Sequence, residues 1–102
     1  MKLFIVTCLK EYQDDITKIF KSANIHVFSA TAVTGFKDNQ SPDLVEEWFA
    51  SGEGKSDSIM LFSFTAAEYA EDGIEMIKKY NEQSGTNFPV RAFIVPVEKS
   101  TY

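Results

Sequence analysis

The sequence predicts an α+β domain in which a four-stranded antiparallel sheet carries two helices on one face, in the order β-α-β-β-α-β. Three observations lead there. Apolar runs with strand character alternate with apolar stripes of helical period along 102 residues, the length of one domain. Two runs, residues 2–9 and 58–64, are apolar almost throughout, which suits strands buried on both faces. The run that carries Pro89 and Pro96 suits a sheet edge, because proline has no N–H to give to a ladder.

After the first strand, Tyr12, Ile16, Ile19, Phe20 and Ala23 recur on one face of a helix. Asp14 and Asp15 near its start and Lys18 and Lys21 nearer its end match the helix dipole, and Asn24 is an end signal. Residues 25–34 are β-branched and aromatic and predict the second strand, closed by Gly35. A polar loop leads to Ser41-Pro42-Asp43, an N-cap, a first-turn proline and an early acid, so a short helix is expected at 42–50. Residues 51–57 read as a flexible stretch before the third strand. Thr65 with Glu68 three residues on reads as a capping box for the second long helix. Ala66, Ala70, Ile74, Ile77 and Tyr80 are its buried stripe. Gly73 lies on that stripe and predicts a close helix–sheet approach, and Gly85 ends the helix. Residues 88–97 predict the last strand. With right-handed crossovers this order gives the ferredoxin-like sandwich, strands one and three central, strands two and four at the edges.

Composition narrows the function classes. The net charge is −5 and no cluster of Lys and Arg stands out, which argues against nucleic acid. No stretch approaches the roughly 20 apolar residues of a membrane span. The apolar start is too short for a signal peptide and lacks a cleavage site, and the single Cys8 fits a reducing compartment, so a cytoplasmic protein is expected. Two helices on one face leave the other face of the sheet bare, yet residues 3–6 and 59–62 are apolar on both faces. Self-association through the open face is therefore expected, and Phe4→Glu or Leu61→Glu should break the oligomer.

Catalytic motifs are thin, and no enzymatic activity is expected. There is one histidine, and no G-x-S-x-G, G-x-G-x-x-G or C-x-x-C. Gly52-Glu53-Gly54-Lys55-Ser56 ends like a phosphate loop but precedes a strand instead of a helix. Cys8 reads as a small buried hydrophobe or, alternatively, a metal-binding thiol, and His26 as a packing or surface imidazole or a metal ligand; copies in an oligomer could bring either together. The acids of residues 37–57, Asp43, Glu46 and Glu47 among them, form a solvated surface or a site for a cation or a basic partner. Trp48 and Phe49 form either local core or a protein contact.

Asp14-Asp15-Ile16-Thr17-Lys18-Ile19-Phe20, then Ala23-Asn24-Ile25, then Thr31-Ala32-Val33-Thr34-Gly35-Phe36 resembles the D-D-V…L…G-I…T-V-x-x-V-x-G-F-G run of the PII signal-transduction superfamily. The element order resembles that family over nearly the whole chain. The resemblance implies a homotrimer with its sheets packed at the centre. It also implies a small ligand, commonly an adenine nucleotide, held between subunits. The loop between the second and third strands, here residues 37–57, would dock on a membrane transporter or another protein. Carried over, the ligand site would involve Gly35, Phe36, Lys37, Gly85, Arg91 and Lys99, and the partner contact Asp43, Glu46, Glu47, Trp48 and Phe49. The chain departs from the family after the second helix, where Gln83-Ser84-Gly85-Thr86-Asn87-Phe88-Pro89 stands in place of a T-G-x-x-G-D-G-K loop. Ile5-Val6-Thr7-Cys8 and Phe88-Pro89 are similar to segments of the CutA divalent-cation-tolerance family, which makes a divalent metal the alternative ligand. A small enzyme on a ferredoxin-like scaffold is the other alternative.

Overall fold

A computed structural model describes residues 1–36 and 55–101. The expected 42–50 helix, with Lys37 and the partner-contact residues Asp43 to Phe49, lies outside them. The elements are β1 (Lys2–Leu9), a 3-10 turn (Lys10–Tyr12), α1 (Gln13–Ser22), β2 (Ser29–Phe36), β3 (Lys55–Thr65), α2 (Ala67–Ser84) and β4 (Arg91–Pro96). The sheet runs β2-β3-β1-β4 with every pairing antiparallel. This is the expected ferredoxin-like arrangement.

Register assigns the two faces. Phe4 stands opposite Ser63 and Ile94, Val6 opposite Leu61 and Ala92, Cys8 opposite Ile59. These residues face the helices. Phe4 packs on Phe20 of α1 with ring centres 5.3 Å apart, and on α2 at Gly73, where an added Cβ would sit 2.7 Å from the ring. Ile16, Phe20, Ala70 and Ile77 close the core from the helix side. Side chains alternate along a strand, so Leu3, Ile5, Phe62 and Phe93 fall on the face away from the helices. Phe4 and Leu61 are therefore core residues and not residues of the open face. Glutamate at either position would unfold the domain instead of parting copies.

The element ends differ from expectation for local reasons. Residues 25–28 are not part of β2. Ile25 is buried, Phe28 stacks on Phe20 at 4.9 Å, and the Ser63 hydroxyl donates to the Val27 carbonyl at 2.6 Å where a backbone partner would stand. β3 starts earlier than expected because Lys55, Ser56 and Asp57 pair with Phe36, Gly35 and Thr34. Thr65 is not a helix cap: it pairs with Lys2 in the sheet, and α2 is capped by Ala66, which has no side-chain acceptor. β4 is shorter because Asn81 of α2 takes the backbone of Val90. Its amide nitrogen donates to the Val90 carbonyl at 2.9 Å, and the Val90 N–H donates to its oxygen at 2.8 Å. Asn24 (φ 67°) and Gly85 (φ 60°) both turn the chain out of a helix in the left-handed region, as expected. Gly35 does not close β2: it lies inside the strand opposite Ser56, and the strand runs on to Phe36.

Candidate functional site: the open sheet face and one end of the sheet

The open face is apolar across β1, β3 and β4 and more polar at the β2 edge, where Ser29 and Thr31 stand opposite Phe62 and Met60. β1 contributes Leu3 and Ile5, β3 Met60, Phe62 and Phe64, β4 Phe93 and Val95, with Val33 of β2 beside them. Phe64 is 57% exposed and Val95 39%. Three strands about 4.8 Å apart and some 20 Å long make an apolar face of roughly 300 Å², comparable to the largest apolar patch of a typical monomer, which is often functional. At the end where β3 finishes, Val27, Phe62 and Phe64 line a groove of about 450 Å³, and Val27 is 85% exposed.

The predicted ligand residues divide between the two ends of the sheet. Gly35 and Phe36 end β2, Arg91 begins β4 opposite Thr7, and Gly85 closes α2 just before that strand. All four lie at the end where β1 finishes. Lys99 follows β4 at the other end, past the Pro96–Lys2 pair. Gly35 and Arg91 lie towards one end but on opposite edges, three strand spacings across and four residues along, or about 19 Å apart.

Cys8 and His26 are not brought together either. Cys8 is fully buried near the end of β1, and burial pushes its thiol up to about 12, which keeps it protonated and a poor nucleophile in the folded chain. His26 is exposed after α1, its Nε2 2.8 Å from Oδ1 of Asn24. Among the described residues no three His, Cys, Asp or Glu side chains cluster as a metal site would require. No helix among them is long and apolar enough to cross a membrane.

Sequence reasoning missed a polar network at the Gly85 end. The Tyr12 and Thr86 hydroxyls lie 2.7 Å apart, and the Phe88 N–H donates to the same Thr86 oxygen at 3.0 Å. Tyr80 meets Tyr12 edge-on at 6.2 Å and donates to Asp15 at 2.9 Å. Desolvation, then the Asp15 hydrogen bond and charge, push the Tyr80 phenol up to about 12. The network and the Asn81 clamp fix the 84–90 connection to both helices. Helical spacing marks both tyrosines only as members of apolar stripes. Their hydroxyls, which demand partners when half-buried, were the available signal.

Sheet order, helix placement and the uncovered face together define a small α+β domain of ferredoxin-like fold. It resembles the crystal structure of a DUF3240 family protein from Shewanella baltica OS155, with a TM-score of 0.67 and 16% identity, over 99% of this chain and 93% of that one. At that identity the likeness is one of fold. No protein-family model matches the sequence, and no curated protein does.

Proposed function

We propose that this chain is a non-enzymatic, PII-like regulatory protein. It assembles as a homotrimer through its open sheet face and senses a small ligand between copies. It regulates a partner, such as a membrane transporter, through residues 37–57. The observation that carries the reading is the apolar face of Leu3, Ile5, Phe62 and Phe93, which neither helix covers. Burying apolar area is worth about 25 cal/mol per Å², so a partner that covers this face gains free energy by doing so. Copies of the chain are the proposed occupant because the apolar part of the face, on β1, β3 and β4, can meet the same part of another copy, hydrophobe to hydrophobe.

The ligand part of the proposal has a geometric support. Gly35 and Arg91 stand on opposite edges of the sheet, so in this reading the small molecule bridges the β2 edge of one copy and the β4 edge of the next. A buried thiol with no cysteine partner in the chain suits a cytoplasmic setting.

The deciding experiment is light scattering on wild type and Ile5→Glu. The proposal expects a trimer mass for wild type and a folded, lower-mass species for the variant. A wild type that stays monomeric at all accessible concentrations would sink it.

A further inference from the structure

The end of the sheet where β1 begins gathers the exposed apolar side chains. Among the described residues five large hydrophobics are exposed, and four of them, Met1, Val27, Phe64 and Val95, stand at this end. They belong to opposite edges. Val27 and Phe64 line the groove of about 450 Å³ beside the start of β2. Val95 stands on the open face of β4 opposite Leu3, and Val97 follows two residues on, in the tail that leaves the sheet after Pro96. The Phe36–Lys55 pair, where the chain leaves β2 and re-enters at β3, is at the other end.

The groove exists because β3 outlasts β2. β2 starts at Ser29 opposite Phe62, so Ser63, Phe64 and Thr65 have no partner in that strand. Consecutive residues of an antiparallel strand turn their N–H and C=O alternately to either side, so at least one of the three faces the groove. The Ser63 hydroxyl, donating to the Val27 carbonyl, sets a side chain between the two backbones there. An apolar slot beside an unladdered strand edge takes up an extended segment with apolar side chains at every second residue. Val95 and Val97 are such a pair. Their own groove is not their seat: β4 lies on the far edge of the sheet, and no tail residue lines the groove.

We propose that the chain after β4, anchored by Val97, seats in the Val27–Phe64 groove of a second copy and joins copies head to tail. The inference rests on the self-association proposed above and says which surfaces meet. A second copy is the occupant because each chain exposes both halves, and one contact covers both. The reach is sufficient. An extended chain advances about 3.4 Å per residue, so the tail from Val97 to Thr101 spans about 17 Å, against about 10 Å for the unladdered stretch of β3. A groove that meets a tail is a contact between unlike surfaces. It repeats from copy to copy and closes into a ring where the rotation allows, whereas a contact between like surfaces stops at two. A three-membered ring needs a contact of the first kind.

The test is sedimentation equilibrium on the full chain with Val27→Asp, which spoils the groove, and Val97→Asp, which spoils the tail. Both side chains lie outside the core, and circular dichroism checks that both variants fold. Each alone should assemble about tenfold more weakly than wild type, because a carboxylate in an apolar contact is unfavourable. Mixed one to one, they should associate as pairs, about tenfold more tightly than either alone. The sound tail of the first meets the sound groove of the second, and the spoiled halves keep the ring open. A mixture no tighter than its components overturns the inference and gives the groove to another kind of partner. Variants that assemble like wild type overturn it and leave self-association standing. A wild type that is monomeric throughout overturns both. Should Val27→Asp fail to fold, Val27→Ser takes its place in the same mixture.

Discussion

Gly73 and Phe4 show how one missing Cβ sets the distance between a helix and a sheet. The Phe4 ring is fully buried, wedged against Phe20, and cannot swing away from a methyl placed 2.7 Å from its edge. Gly73→Ala should therefore destabilise by about 1–2 kcal/mol in urea titration, although alanine gains ~1 kcal/mol in helix propensity. Phe4→Leu in the same background should recover part of the loss, read as a double-mutant coupling. Asn81 is the second decisive residue. Val90 is buried, so Asn81→Ala removes two hydrogen bonds and leaves a buried N–H and C=O unmet, a loss of about 2–4 kcal/mol by the same titration. Cys8 sets the alkaline limit. Its thiol keeps its proton in the folded state up to about 12 but releases it from near 9.0 in the unfolded chain. The unfolded state then binds fewer protons, so stability should fall as pH rises from about 9 towards 12. Urea midpoints should show Cys8→Ala losing the part of the fall that begins first. Tyr80 should retain its own, which begins near 10.0.

At the scale of elements, strand parity separates two kinds of substitution that sequence alone had merged. Ile5→Glu and Phe62→Glu place a carboxylate on the open face and should leave a folded domain by circular dichroism. Phe4→Glu and Leu61→Glu place it in the core and should cost about 4 kcal/mol or more, enough to unfold a domain of this size. The order of elements, the central strands and the proline-marked edge were legible in the sequence because each rests on a local period or a local steric fact. Gly73, Asn24 and Gly85 were legible for the same reason. The facing of β1 and β3 was not, because a run apolar at every position hides which alternate set points to the helices. Only the partners in register decide it, and those lie more than fifty residues away. Thr65 misled because a good capping residue also makes a good strand end, and pairing with Lys2 won. The Asn81 clamp was invisible because its partner is a backbone, which no side-chain pattern reports. Of the predicted site, the placement of Gly35, Phe36, Gly85 and Arg91 towards one end of the sheet, on opposite edges, emerged from topology, not from motif.

The whole molecule is thin, 41 × 32 × 19 Å, because one layer of helices covers one layer of sheet and nothing among the described residues forms a third. Assembly supplies the missing layer in the proposed function, and the ligand then sits where copies meet. A thermal-shift panel with adenine nucleotides, phosphate, and zinc, copper and cobalt ions should give an upward shift with an anionic ligand. A shift with the metals alone would move the reading to the metal-tolerance alternative.

The β2 edge adds a hazard to this design. Among the described residues β2 pairs only with β3, and from Ser29 to Phe36 it contains no proline and no charge. Natural sheets guard such rims with lysines, prolines or bulges; β4 has Pro96 at its end, but β2 has none of these. Among the described residues nothing covers this edge, so it is a template for cross-β growth. Thr31→Lys, a charge placed on the rim, should delay thioflavin-positive fibrils on standing relative to wild type.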